Sequence, residues 1–176
     1  MFRLGDVIGK SVVSVTSGAK LGTISDALLR PGGEGVIAFV LGGGLLTKER
    51  VLPLAEVQTF GTDAVLARTD EHLINAREWR ESEVSSVRSS TVRGRRVVTA
   101  GGREIGHLSD FVVDESSGAF SGLEVESRSL GGLRTHRRMI PASATPRVGP
   151  DAIVVEDSGL EEEGTATAAD DARTDG

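Results

Sequence analysis

The chain has no cysteine among its 176 residues, so no disulfide can brace it and no thiolate nucleophile or cysteine-based metal site is possible. This absence favours a reducing compartment, and the chain reads as cytoplasmic. Aromatic side chains are scarce, at 3%, with a single tryptophan, Trp79. No apolar run approaches the roughly 18 to 20 residues needed to cross a bilayer as a helix. The amino terminus, Met1-Phe2-Arg3-Leu4-Gly5-Asp6, is broken by charge before a signal-like segment develops. Neither secretion nor membrane insertion is expected.

What is present is a statement made twice. Gly22-Thr23-Ile24-Ser25-Asp26 returns 84 residues later as Gly106-His107-Leu108-Ser109-Asp110, with Gly18 matching Gly102 and Phe39 matching Leu123 at the same offset. Beyond a four-residue insertion the offset becomes 88, and Pro53, Gly61, Asp63 and Ala64 match Pro141, Gly149, Asp151 and Ala152. Identities at turn residues with gaps in loops are how duplicated small domains diverge. We divide the chain into a first repeat (1–68), a partly helical linker (69–91), a second repeat (92–156) and an acidic tail (157–176).

The formal charge of −6 belongs to that tail. Residues 157–176 carry seven acids against Arg173, whereas residues 1–156 balance 19 acids with 19 bases. With Thr, Ala and Asp in place of large apolar residues, the tail cannot bury enough surface to offset its ordering entropy and is expected to be disordered, serving solubility.

Alternating and β-branched residues between Gly and Pro turns make both repeats all-β. Strands are expected at 12–16, 22–30, 36–41, 50–54 and 64–67, and at 96–100, 105–114, 120–126, 138–141 and 152–156. Residues 36–41 are almost wholly apolar and read as a strand covered on both faces. So many short strands in about 65 residues imply a small closed or half-closed barrel, because closure removes free edges. The linker is expected to hold a short helix with Asp70 as its N-cap. Trp79 has two readings, a ring packed in the groove between barrels, which we prefer, or an anchor for a partner.

The order of a short strand, a Gly turn, Gly-x-(Ile/Leu)-Ser-Asp opening a longer strand, an apolar strand and a strand ending in proline resembles the PRC-barrel domain. The residues that carry the likeness are Gly18, the stretch from Gly22 to Asp26, residues 36–41 and Val51-Leu52-Pro53, and in the second repeat Gly102, the stretch from Gly106 to Asp110, residues 120–125 and Met139-Ile140-Pro141. The resemblance implies two tandem small β-barrels. It is similar to the cytoplasmic domain of the photosynthetic reaction-centre H subunit and to the carboxy-terminal domain of the ribosome-maturation factor, which binds a small-subunit protein. No transmembrane helix and no distinct amino-terminal domain precede the first barrel, so those specific functions are not carried over.

Motifs for chemistry dissolve on inspection. Gly5-Asp6-Val7-Ile8-Gly9-Lys10-Ser11 is one residue short of a phosphate loop and runs into Val12-Val13, where that motif needs a helix. Gly42-Gly43-Gly44 followed by Lys48 reads as a hairpin loop. His72, His107 and His136 share no spacing that would make a metal site. Asp26 and Asp110 occur one per repeat in the same place, which suggests a turn or cross-strand hydrogen bond rather than acid–base work. No catalytic residue, cofactor site or metal site is assigned.

One surface feature stands out. Arg128, Arg134, His136, Arg137 and Arg138 cluster in the second repeat, with Arg93, Arg95 and Arg96 at its start. No aromatic is interleaved with them to stack a base, so a protein partner is favoured over RNA. The expected function is a non-catalytic adaptor that binds a protein partner or a second copy of itself. The alternatives are an RNA- or ribosome-associated factor using the arginine cluster, and a small-ligand binder using the groove between barrels.

Overall fold

A computed structural model describes residues 1–42, 48–82, 84–128, 135–144, 146–157 and 160. The first copy comprises β1 (Phe2–Arg3), α1 (Leu4–Val7), β2 (Ser11–Ser14), β3 (Lys20–Leu29), β4 (Val36–Gly42), β5 (Arg50–Pro53), a 3-10 turn, β6 (Val57–Phe60) and β7 (Ala64–Ala67). The linker contributes β8 (Ile74–Asn75) and α2 (Ala76–Glu81). The second copy comprises β9 (Val87–Arg88), α3 (Ser89–Val92), β10 (Arg96–Thr99), β11 (Glu104–Val113), β12 (Phe120–Arg128), β13 (Thr135–Pro141), a 3-10 turn, β14 (Arg147–Val148) and β15 (Ala152–Val155).

The two sheets have one plan. The first runs β6-β7-β2-β3-β4-β5-β8 and the second β14-β15-β10-β11-β12-β13, with β2 parallel to β7 and β10 parallel to β15. The chain is therefore two tandem, predominantly antiparallel β units, as the repeat predicted. Most of the longer strands fall where the alternation placed them; β6 was not expected, and β13 begins at Thr135 rather than at 138. The two-residue strands β1, β8, β9 and β14 and the short helices α1 and α3 were not foreseen, because segments so short carry no periodicity and exist only through their tertiary partners.

Those short segments cross over. β1 pairs with β11 of the second copy (Phe2 opposite Val113, Arg3 opposite Val112), and β9 pairs with β3 of the first (Val87 opposite Leu29, Arg88 opposite Leu28). Each copy thus lends its leading strand and helix to the other under a pseudo-twofold relation. At the centre, Gly35 and Ala119 form an isolated antiparallel bridge flanked by Val36 N–H donating to Gly118 O (2.8 Å) and Phe120 N–H donating to Glu34 O (3.2 Å). This approach requires glycine. A Cβ at Gly35 would lie 2.5 Å from Gly118 O, and one at Gly118, where φ is +72°, would lie 2.2 Å from Leu54 Cδ2.

One continuous apolar core serves both copies, including Phe39, Leu41 and Leu52 from the first and Phe111, Leu123 and Ile140 from the second. Leu4, Val7 and Val92 bury the exchanged helices in it completely, each contributing about 1.5–3 kcal/mol by loss of apolar surface from water. β4 is covered on both sides, as its apolar run predicted. Val36, Phe39 and Leu41 face the main core, while Ala38 and Val40 join a separate cluster with Leu28, Val51 and Trp79.

The linker corrects two expectations. Asn75, not Asp70, caps the helix, with its side chain accepting from Arg77 N–H at 2.9 Å, while Asp70 accepts from Ser14 Oγ at 3.4 Å. Trp79 does not fill the groove between barrels. It lies on the outer face of the first sheet, 9% exposed, and donates its indole N–H to Ser86 Oγ at 3.2 Å. The tail also begins later than expected, since Asp157 accepts from Gly101 N–H at 2.8 Å and Leu160 packs against the core. Residues 161–176 lie outside the described residues.

Candidate interaction surface

The repeated Gly-x-(Ile/Leu)-Ser-Asp stretch is a built device, and its chemistry begins with the backbone. Gly22 and Gly106 adopt φ of +156° and +142°, and a Cβ at Gly106 would sit 2.4 Å from Glu126 O. Two residues on, the ladder slips between Ile24 and Asp26 and between Leu108 and Asp110, so Ser25 and Ser109 occupy β-bulges. A bulge re-aims the side chain that follows it. Here it directs each aspartate at the helix lent by the opposite copy.

Asp26 accepts from Ser89 Oγ (2.6 Å), Ser90 N–H (3.2 Å) and Ser90 Oγ (2.6 Å) at the start of α3. Asp110 accepts from Gly5 N–H in α1 at 3.0 and 3.1 Å and from Arg93 at 2.9 Å. Burial pushes the Asp26 carboxyl up, but the hydrogen bonds from Ser89, Ser90 and the backbone outweigh it and hold the group below its ordinary value. The bond expected of these aspartates exists, but it joins copies rather than neighbouring strands. The stretch from Gly5 to Ser11 is accounted for in the same way. Its first residues are helix α1, its first amide binds the Asp110 carboxylate, and Lys10 Nζ donates to Gly61 O at 2.8 Å.

Most cations singled out from the sequence are occupied. Arg93 holds Asp110, Arg95 donates to Gly149 O and to Thr91 O, and Arg96 lies 3.8 Å from Glu104. His72 pairs with Glu56 at 2.8 Å, which raises its pKa, and His107 is exposed on β11. The Arg128 side chain, Arg134 and the glycines 43–44 lie outside the described residues.

His136, Arg137 and Arg138 come together on β13, and β13 is the terminal strand of its sheet. Arg137 Nε donates to Glu126 Oε1 at 2.7 Å and lies 3.6 Å from Glu124 Oε1. Glu124 is only 4% exposed, and Arg3 of the exchanged β1 approaches its Oε2 to 3.0 Å without hydrogen-bond alignment. Met139 is 39% exposed beside them.

The counterpart surface on the first copy is closed. There β8 pairs with β5 (Ile74 opposite Val51, Asn75 opposite Arg50), and Trp79 covers Val40 and Val51, the positions matching Glu124 and Met139. Among the described residues no strand lies on the outer edge of β13. The sequence showed the charges. It did not show that they line an edge that no described strand covers, because the repeat pattern is the same in both copies and only the pairing of the linker tells the two edges apart.

The architecture defines a protein of two interlocked small β units, with a closed first face and a cationic second edge. The PRC-barrel domain family matches the chain over residues 1–74 and again over 85–161, and the chain belongs to this family. Each matched segment includes the leading strand and helix that dock on the other copy. No curated protein matches the chain.

Proposed function

We propose that this tandem PRC-barrel protein is a non-catalytic adaptor of the cytoplasm that presents the β13 edge to a protein partner bearing an acidic, extended segment. The observation that carries the reading is the asymmetry between equivalent edges: β5 is covered by β8, whereas among the described residues no strand covers β13, which exposes His136, Arg138 and Met139. An extended segment can add a strand there, gaining main-chain hydrogen bonds while its acids meet the arginines. Edge-to-edge pairing of two copies is disfavoured, because it would oppose like charges. The repeated carboxylates support a structural role, since buried Asp26 and half-buried Asp110 are engaged in holding α3 and α1.

The RNA reading has less support, because Arg137 is neutralised by Glu126 and Glu124. Capture of interacting material by the full chain and by an Arg138→Glu, His136→Glu variant, with and without nuclease, tests the proposal. A discrete protein retained after nuclease and lost in the variant is the expected result. Material lost on nuclease in the unaltered chain overturns it in favour of nucleic acid.

A further inference from the structure

We infer that the cleft between the two copies at β9, α3 and β14 binds a small aromatic carboxylate, with its ring between Val87 and Val148 and its carboxylate on Arg95. The cleft shares no lining residue with β13, and its occupancy is independent of the adaptor reading.

The cleft encloses about 350 Å³, within the range of small-molecule sites, and lies where the copies meet. Leu29 and the loop from Pro31 to Gly33 come from the first copy, and Val87, Val92, Arg95 and Val148 from the second. The loop is tied across the junction, since Val148 N–H donates to Gly32 O at 3.1 Å. Two cations line this largely apolar space. Arg30 lies 3.7 Å from Glu34, whereas Arg95 donates to two backbone carbonyls, Thr91 O and Gly149 O. Those carbonyls orient the guanidinium without neutralising its charge.

The pseudo-twofold relation shows what this space takes. Phe2 lies opposite Val113, the last residue of β11, as Val87 lies opposite Leu29, the last residue of β3. Phe60 lies opposite Val65 and is followed by Gly61 N–H donating to Ala64 O; Val148 lies opposite Ile153 and is followed by Gly149 N–H donating to Ala152 O. Lys10 N–H donates to Val7 O and its Nζ to Gly61 O, as Arg95 N–H donates to Val92 O and its guanidinium to Gly149 O. Phe2, Phe60 and Lys10 are thus the counterparts of Val87, Val148 and Arg95. Around the first site the rings of Phe2 and Phe60 stack, with centroids 4.4 Å apart and planes tilted by 31°. Valine at both positions of the second leaves roughly a ring's volume unfilled, and apolar voids left by missing large side chains take up aromatic molecules. The exchange of Lys10 for Arg95 adds a planar fork suited to a carboxylate.

Naphthoate is the probe and uncharged naphthamide its control, each titrated into the full-length chain and followed by NMR. Naphthoate is expected to give saturable shifts at Val87, Val92 and Val148, with nuclear Overhauser contacts from its ring protons to their methyl groups, and naphthamide to bind about tenfold more weakly. Val87→Phe, which places a ring where the first copy has Phe2, should abolish binding of both. Arg95→Gln should weaken naphthoate about tenfold and leave naphthamide unchanged, while Arg95→Lys restores most of the difference. Absence of the methyl contacts in the unaltered chain overturns the proposal whether or not any variant folds. Equal binding of naphthoate and naphthamide overturns it in favour of a purely apolar site, and naphthoate shifts confined to β13 overturn it in favour of non-specific attraction to the arginines there.

Discussion

The hydroxyl of Ser89 donates to Asp26 at 2.6 Å across 63 residues of sequence, and both side chains are buried. This bond ties the helix that opens the second copy to the bulged strand of the first, and Gly5 repeats the contact on Asp110 with the copies reversed. The repeated motif therefore serves to interlock two domains, each of about the smallest size that sustains its own core.

Replacing Asp26 with Ala removes four hydrogen bonds to a carboxylate, from the Ala27 amide, Ser89 Oγ and the Ser90 amide and hydroxyl, and leaves Ser89 and the Ser90 amide without that acceptor. A loss of about 2–4 kcal/mol is expected, read as a lowered urea midpoint. Ser90→Ala removes only one of the donors and is expected to cost about 1–2 kcal/mol. Equal effects of the two would show that the lock is not centred on the carboxylate.

Acid should weaken the same lock. The folded-state pKa of Asp26 lies below its ordinary value of 3.8, because hydrogen bonds outweigh burial. The unfolded chain therefore takes up a proton that the folded chain resists. The stabilisation is fully present above 3.8 and is lost as the pH falls below that value toward the folded pKa. Asp157 is shifted the same way by hydrogen bonds from Thr99 and the Gly101 amide, so the diagnostic quantity is a difference. The stability gap between the unaltered chain and Asp26→Asn should be constant from pH 7 to about 5 and shrink toward pH 3 in urea titrations. A gap that does not change with pH excludes the ionised carboxylate as the source.

The junction between copies should be intolerant of any side chain at Gly118. Its φ is +72°, and a Cβ would fall 2.2 Å from Leu54 Cδ2 and 2.6 Å from Val36 O. Gly118→Ala combines a left-handed backbone with a clash, and a cost of about 2–3 kcal/mol is expected by thermal or urea unfolding. Gly102→Ala has a similar φ of +85° but open space, so it should cost about 1 kcal/mol.

Trp79 offers a probe of the linker. Its ring closes the cluster of Leu28, Ala38, Val40 and Val51, so the native chain should emit at short wavelength and shift to the red on unfolding. Trp79→Ala should destabilise by about 2–4 kcal/mol. Trp79→Phe keeps the apolar contact but loses the bond to Ser86, so it should cost less than half as much. A red-shifted native spectrum would show the ring in water and the first face open.

By itself the sequence determined the duplication, the all-β class, the family resemblance and most of the longer strands. These rest on local signals: alternation along a strand, glycine and proline at turns, and an apolar run on β4. It also marked Asp26 and Asp110 as equivalent and His136, Arg137 and Arg138 as a cationic group. Only the tertiary structure decided where those groups point. Strands of two residues have no pattern of their own, so the exchange of β1 and β9 between copies, and with it the target of each aspartate, was not legible. Trp79 is apolar in either reading, and its place on the first sheet rather than between barrels follows from the pairing of β8 with β5. Sequence periodicity reports which face of an element is apolar; which element covers that face depends on contacts between residues far apart in the chain, and the difference between β5, closed by β8, and β13, which no described strand covers, is of that kind.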